Sequence, residues 1–245
     1  MYAKEGDCHR LRRNHLSGKL YIVSTPIGNL KDITLRAIEV LKSVDLIASE
    51  DTRVTLKLLN RYNIKKPLVS IHERSKPEKV RRLVEEISAQ GGSASGGKNG
   101  KSVAFVSDAG TPGIADPGGL LVSGAVKEGI EVIPIPGPSA VTTALSIAGF
   151  PGNEFVFLGY FPKKKGRQTL LQNLKKEERL VVFFESPFRI LKTLKDLNEY
   201  LGNREIVVFR ELTKKFEEIY RGTISEVFPK IKPRGEFVVI IKGAK

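Results

Sequence analysis

The sequence is poor in several residue types, and each shortage narrows what the protein can be. Its 245 residues contain no tryptophan, three histidines and a single cysteine, Cys8. One cysteine excludes an internal disulfide and is typical of a reducing compartment. Cys8, His9 and His15 share a polar tail, which is weak evidence for a metal-binding cluster. The sequence therefore predicts neither a disulfide scaffold nor a metal site.

Long apolar runs are also missing. No stretch approaches the roughly 20 apolar residues of a membrane-spanning helix, and the N-terminal segment is basic but has no apolar signal core. We therefore expect a cytoplasmic protein without membrane association.

Acidic side chains are scarce relative to basic ones. The sequence contains 41 Lys and Arg residues but 27 Asp and Glu residues, so the net charge is +14 and the isoelectric point is near 9.8. Such a field attracts polyanions, and nucleic acid is the leading class of partner. The alternative is a host whose proteins are generally rich in lysine.

The most informative stretch is residues 103–119, VAFVSDAGTPGIADPGG. An apolar strand runs into a loop whose glycines allow close backbone approach and whose prolines stiffen the path. Asp108 lies two residues past the strand, at the carboxyl end where open α/β sheets bind ligands. The pattern predicts a ligand-binding loop, although Asp108 could instead hold its own turn. Asp116 and Pro117 are better interpreted as the start of a helix.

The chain divides into an arm and two halves. Residues 1–17 lack a hydrophobic period and predict a flexible basic arm. Residues 18–135 alternate short apolar runs with helical periods, which indicates a parallel sheet with helices on its faces; the Gly/Ser-rich stretch 91–100 predicts a loop within it. Residues 136–245 form a second α/β domain. In the first domain, strands are predicted at LYIVS, DLIAS, PLVSI, VAFVS and EVIPI.

Six motifs occur in order: STPIGNLKDITLRA, ASEDTR, SDAGTPGIADPG, PGPSAVTTALSIAG, FFESPFR and ELTKKFEEI. Together they resemble the ribosomal small-subunit RNA cytidine 2′-O-methyltransferases of the tetrapyrrole methylase superfamily, over roughly residues 18–243. The resemblance implies two α/β domains, a mostly parallel N-terminal sheet and a mixed C-terminal sheet, with the methyl-donor cleft between them. It also implies S-adenosylmethionine as donor and a homodimer.

The resemblance further implies which residues line the donor pocket. Asp108 is suited to the ammonium or hydroxyl groups of the donor, because a carboxylate binds both. The positions that match the pocket of the family are Pro26, Gly28, Asp108, Gly110, Thr111, Ser139, Ala140, Phe184 and Gly235.

Removal of the acceptor proton is predicted at Glu185 or Asp51, because each follows an apolar strand and carries a carboxylate that can accept a proton. The alternative is that Asp51 with Arg53, and Glu185 with Arg189, form ion pairs that brace the structure. Catalysis by positioning, with water taking the proton, is also open.

RNA contacts are predicted at an exposed basic loop after Tyr160 and Phe161, with Arg53 added at the cleft. The loop comprises Lys163, Lys164, Lys165 and Arg167. The expected partner is small-subunit (16S) ribosomal RNA or the assembled 30S subunit. Two other functions stay open: methylation of a small tetrapyrrole, and RNA binding in assembly without catalysis.

Overall fold

The computed structural model describes residues 18–88, 100–116 and 118–244. The predicted basic arm, the Gly/Ser-rich loop up to residue 99, and Pro117 lie outside these ranges. Two five-stranded sheets organise the described residues. This confirms the predicted α/β class, while the exact domain boundaries stay a prediction.

The first sheet is parallel throughout, with strand order β3-β2-β4-β1-β5. Its strands are β1 (Lys19–Val23), β2 (Leu46–Ser49), β3 (Leu68–Ser70), β4 (Val103–Val106) and β5 (Glu131–Ile135). All five lie where the apolar runs predict them. Because the strands are parallel, their carboxyl ends meet at one edge of the sheet.

Four helices cover both faces of this sheet: α1 (Leu35–Ser43), α2 (Thr52–Arg61), α3 (Pro77–Ile87) and α4 (Gly118–Lys127). Strand β4 is buried throughout and alternates between the faces. Ala104 and Val106 pack with α1 and α2, whereas Val103 and Phe105 pack with α3 and α4. Helix α1 begins after Thr34, whose hydroxyl accepts a hydrogen bond from the Ala37 amide at 3.1 Å, as an N-cap requires.

The second sheet is mixed, with strand order β6-β7-β10-β8-β9. Strands β6 and β7 pair in parallel and the remaining pairs are antiparallel. The strands are β6 (Phe155–Tyr160), β7 (Leu180–Glu185), β8 (Glu205–Arg210), β9 (Glu218–Thr223) and β10 (Phe237–Ile241). The expectation of a mixed C-terminal sheet is confirmed.

Four further helices are α5 (Ala140–Ser146), α6 (Arg167–Leu174), α7 (Ile190–Leu201) and α8 (Ile224–Val227). Helices α6, α7 and α8 cover one face of the second sheet. The other face receives α5 together with Ile27 from the first domain. One hydrophobic core therefore spans the two halves of the chain, which fixes the sheets against each other.

Helices α6 and α8 were not predicted from the sequence, and α6 is the one that changes the interpretation of a site residue. It begins at Arg167, directly after Gly166, which adopts φ +77° as its N-cap. The sequence analysis placed Arg167 in the basic loop with the three lysines before it, whereas the structure makes it the first residue of a helix.

Candidate active site

A cavity of about 320 Å³ lies between the carboxyl edge of the first sheet and one edge of the second. Its volume is at the lower end of the range typical of small-molecule sites. The charged lining residues are Glu50, Asp108, Asp116, Glu185, Lys214 and Glu236, and the apolar lining includes Ile27, Ala140, Tyr160, Phe184, Leu212 and Phe237. Both domains therefore contribute to one site.

Three of the nine predicted donor-pocket residues line this cavity directly: Asp108, Ala140 and Phe184. Each of the others lies next in sequence to a lining residue or within two residues of one. Pro26 and Gly28 flank Ile27, Ser139 precedes Ala140, and Gly235 precedes Glu236. Gly110 and Thr111 follow Ala109.

Gly110 and Thr111 hold the loops around the cavity together. Gly110 exchanges two backbone hydrogen bonds with Thr25, at 2.9 and 3.1 Å. The Thr111 hydroxyl donates to the Pro138 carbonyl at 3.0 Å and, since its proton is used there, accepts from the Ser24 hydroxyl at 3.0 Å. The loops after β1, β4 and β5 are thereby joined.

Two glycines mark places where the backbone allows no side chain. A Cβ atom placed at Gly28 would lie 2.5 Å from Lys214 Cγ and 2.9 Å from the Leu212 carbonyl oxygen, both in the second domain. Gly235 adopts φ +84°, and a Cβ there would lie 2.6 Å from a carboxylate oxygen of Glu211. Glycine is required at both positions by close packing.

Carboxylates from the first domain form one wall of the cavity. The Asp51 amide donates to Asp108 Oδ1 at 2.9 Å, which ties the end of β4 to the end of β2. Desolvation raises the pKa of Asp108, and the hydrogen bond from the Asp51 amide opposes that rise. Desolvation and the neighbouring Asp108 charge likewise raise the pKa of Glu50. Perturbed pairs of this kind are typical of functional sites.

Glu50 is a lining residue that the sequence analysis did not select. Its position directly after β2 could have indicated it. Asp51 comes next in the sequence and is also acidic, so only the directions of the two side chains in the folded protein distinguish them. Asp116 accepts hydrogen bonds from the Gly113 and Gly118 amides at 2.8 and 2.7 Å. It therefore holds the turn that leads into α4, where the sequence predicts the start of a helix, and it also borders the cavity.

Asp51 is engaged in the alternative role that the sequence left open. Its carboxylate caps α2 through the Arg53 amide and pairs with the Arg53 guanidinium at 2.6 Å. The hydrogen bonds from Arg53 lower the pKa of Asp51 to about 2. A carboxylate with so low a pKa is a weak proton acceptor near neutral pH.

Glu185 lines the cavity but is also the centre of a buried polar network. One carboxylate oxygen accepts from Arg189 at 2.6 Å and from the Ser186 amide at 2.7 Å. The other accepts from the Thr193 hydroxyl at 2.6 Å. Since each oxygen already has a donor, the geometry favours a bracing role for Glu185.

The same network reaches Arg167, and the expectation that this side chain is exposed is wrong. Arg167 is 7% exposed and pairs with Asp196 at 2.8 Å. It also donates to the Thr193 hydroxyl at 3.0 Å and to the Pro162 carbonyl at 2.8 Å. Because Arg167 starts α6 and turns inward, it supports the basic loop and is not available to RNA phosphates.

The predicted basic loop is exposed at the remaining three positions, Lys163, Lys164 and Lys165, which we call the lysine loop. It follows Tyr160, a lining residue of the cavity. Arg53 is also on the surface, with 88% of its side chain exposed.

The loop after β8 lies under backbone strain. Glu211 and Thr213 adopt φ +52° and +65°, and Ala115 in the Asp108 loop adopts +63°. Non-glycine residues in this region are uncommon and cluster at functional sites. Lys214 of the same loop contacts Glu211 at 3.1 Å and Glu236 at 2.7 Å. Burial opposes protonation of Lys214, yet its hydrogen bonds with Glu236 and Glu211 raise its pKa.

The described ranges, residues 18–88, 100–116 and 118–244, lack two features. They contain no helix long and apolar enough to cross a membrane, and no group of three or more His, Cys, Asp or Glu side chains arranged for a metal ion.

Comparison with solved structures shows the same architecture in other proteins. A diphthine synthase superposes with a TM-score of 0.71 at 14% identity, covering 92% of this chain and 90% of that one. Uroporphyrin-III-C-methyltransferase from Thermus thermophilus superposes with a TM-score of 0.62 at 19% identity, covering 92% and 94%. At these identities the likeness establishes the fold.

Sequence comparison is more specific. The chain is 51% identical to ribosomal RNA small subunit methyltransferase I of Thermotoga maritima, over 92% of this chain and 99% of that protein. It is 46% identical to the protein of the same name from Bacillus subtilis, over 93% and 76%. The family model for tetrapyrrole (corrin/porphyrin) methylases matches residues 19–227, which contain both sheets up to β9. The chain therefore belongs to the tetrapyrrole methylase family.

Proposed function

We propose that the protein is an S-adenosylmethionine-dependent methyltransferase that methylates the 2′-hydroxyl of a cytidine in small-subunit (16S) ribosomal RNA. The observation that carries the proposal is the separation of charge at one cavity. Carboxylates of Glu50 and Asp108 line it from the first domain, while the exposed lysine loop follows the lining residue Tyr160 of the second. A cationic small molecule and a polyanion can therefore meet at one site.

The side chains that line the cavity support a sulfonium donor. S-adenosylmethionine carries positive charge on sulfur and nitrogen together with a flat adenine, and it supplies an electrophilic methyl group. Asp108 and Glu50 offer negative charge for the cationic end, and Phe184 with Ile27 and Leu212 offers apolar surface for the ring. We propose that Asp108, Ala140 and Phe184 contact the donor. Pro26, Gly28, Gly110, Thr111, Ser139 and Gly235 then hold the loops that shape its pocket.

On the acceptor side, we propose that the protein acts mainly by positioning. Asp51 forms an ion pair with Arg53, which holds the pKa of Asp51 at about 2. Both carboxylate oxygens of Glu185 already accept hydrogen bonds. Glu50 lines the cavity, and its raised pKa makes it the better proton acceptor. Holding donor and hydroxyl in line can lower the activation barrier by about 7–11 kcal/mol.

The names of the curated relatives support ribosomal RNA as the substrate, since two of them match at 51% and 46% identity over more than nine-tenths of this chain. The net charge of +14 is consistent with it. We further propose that the protein is a cytoplasmic homodimer, which doubles the positive field along an RNA substrate. Light scattering that shows a monomer at micromolar concentration contradicts the dimer.

The test is methyl transfer from labelled donor to three substrates: small ribosomal subunits, their protein-free RNA, and an anionic tetrapyrrole precursor. We expect label in RNA, recovered after digestion as 2′-O-methylcytidine. Label in the tetrapyrrole alone assigns the protein to small-molecule methylation. Label on the base overturns the ribose assignment, and tight RNA binding without transfer to any substrate assigns a non-catalytic role.

A further inference from the structure

Three aromatic side chains at the edge of the second sheet are exposed to solvent. Phe188 is 96% exposed, Phe216 is 66% exposed and Tyr160 is 57% exposed. Burying an aromatic ring is strongly favourable, so rings left in water beside a cavity point to a ligand that covers them. We call these three residues the aromatic rim.

Strand direction brings the aromatic rim to one edge. Tyr160 ends β6, Phe188 follows the end of β7, and Phe216 follows the end of β8. Strands β6 and β7 are parallel. Strand β10 pairs antiparallel with both β7 and β8, placing Phe237 opposite Glu185 and Arg210. The three strands therefore end at the same edge, where Tyr160, Glu185 and Phe237 line the cavity.

Cations accompany two of these rings, Tyr160 and Phe216. The lysine loop begins three residues after Tyr160 and is exposed. The ammonium group of Lys215 lies 5.6 Å from the centroid of the Phe216 ring. Interfaces between proteins are depleted of lysine, whereas surfaces that bind single-stranded nucleic acid combine cations for phosphates with aromatic rings for bases. The composition of this edge fits RNA better than a protein partner.

The rings also have a shape suited to unpaired bases. Tyr160 packs edge-on against Phe184, with centroids 5.7 Å apart, and Phe184 packs in turn against Phe157 at 5.0 Å. Phe184 therefore contacts the ring of Tyr160 on one side, while Tyr160 stays 57% exposed. The cavity of about 320 Å³ has the size of a single small ligand, so a paired helix cannot enter it.

We propose that the aromatic rim stacks the bases of an unpaired RNA segment, so that the protein acts on single-stranded and not on paired RNA. The proposal rests on the proposed function and specifies its substrate. Phe188 and Phe216 hold the bases that flank the acceptor nucleotide, and Tyr160 lies beside the acceptor nucleotide at the mouth of the cavity that holds the donor. The lysine loop binds the phosphates of the same segment.

The sequence makes a direct test possible because it contains no tryptophan. In Phe188→Trp, the new indole is the sole tryptophan and keeps the ability to stack. We expect its fluorescence to be quenched by a short single-stranded RNA and to stay unchanged with the same sequence in a full duplex. Phe155→Trp is the matched control, since Phe155 is 40% exposed but starts β6 and lies at the opposite edge. No quenching is expected there.

Affinity gives a second readout. Phe188→Ala and Phe216→Ala should each weaken binding of single-stranded RNA on the order of 5- to 150-fold, the scale of one lost base stack. The slope of affinity against salt should stay the same, because no phosphate contact is removed. Donor affinity should also be unchanged.

Three outcomes overturn the proposal: absence of quenching in Phe188→Trp together with unchanged affinity of the alanine variants, equal quenching by duplex and single strand, or dissociation of a dimer by the alanine variants while RNA affinity per chain is retained. The last would make the rim an interface between copies. Methyl transfer by the wild-type protein is measured in parallel. If methyl transfer to RNA is observed but the aromatic rim does not stack bases, only the proposal for the rim is refuted. If the rim stacks bases but no RNA is methylated, only the proposed function is refuted.

Discussion

Replacing Thr193 with valine should destabilise the protein far more than its size suggests. Thr193 is fully buried, and its hydroxyl joins two charged groups: it donates to Glu185 at 2.6 Å and accepts from Arg167 at 3.0 Å. Valine keeps the shape of threonine but removes this bridge. Serine keeps the bridge and removes one methyl group, so the two variants separate hydrogen bonding from packing.

The expected magnitudes follow from these contacts. A hydrogen bond to a charged group contributes about 1.5–3 kcal/mol, and valine removes two of them. Glu185 keeps Arg189 and Arg167 keeps Asp196, so we expect the free energy of unfolding to fall by about 3 kcal/mol rather than the full sum. The lost methyl of the serine variant should cost about 1 kcal/mol. For a chain of this length, the valine variant should lose about 6–12 °C in melting temperature.

The assay is urea unfolding followed by far-ultraviolet circular dichroism, since the chain has no tryptophan to report on folding. Donor affinity should change little in either folded variant, because Thr193 does not line the cavity. A valine variant at least as stable as the serine variant would refute the reasoning, because it would mean that the hydroxyl does not join the two charges.

Three further predictions concern the site itself. Asp108→Ala should abolish or strongly weaken donor binding in a folded protein, because it removes negative charge from the wall of the cavity; unchanged affinity by calorimetry would place the pocket elsewhere. Replacing the three lysines of the lysine loop with serine should weaken RNA binding and flatten its salt dependence. Replacing Arg167 should mainly lower stability. An unchanged salt slope in the lysine variant would mean that the lysine loop does not contact RNA. Donor affinity should fall as the pH is lowered through the raised pKa values of Glu50 and Asp108, because protonation neutralises the wall. Asp51, with a pKa of about 2, stays ionised over that range, so its contribution to stability is lost only as the pH falls from about 4 towards 2. Because the Asp51 charge also raises the pKa of Asp108, Asp51→Asn should shift the donor profile slightly towards lower pH without abolishing it.

The strands and the general place of the site could be predicted because they depend on local pattern. VAFV is apolar throughout and ends in a glycine-rich loop, and this alone places Asp108 at a carboxyl edge. The choice between Glu50 and Asp51 could not be made, since neighbours in sequence point in different directions only once the chain has folded. Arg167 shows the same limit in another form. Its inward turn depends on Asp196, which is 29 residues away.

Because the backbone at Gly28 lies so close to the second domain, the size of the side chain at this position should set the distance between the two domains. Any side chain there must push against Lys214 Cγ and the Leu212 carbonyl oxygen. A larger side chain should therefore move the domains further apart. A series through alanine, valine and leucine would widen the mouth of the cavity in steps without adding or removing a charge, although each step also displaces Lys214. Donor and RNA affinities plotted against the size of the side chain at position 28 would show how much of the recognition depends on the spacing between the domains.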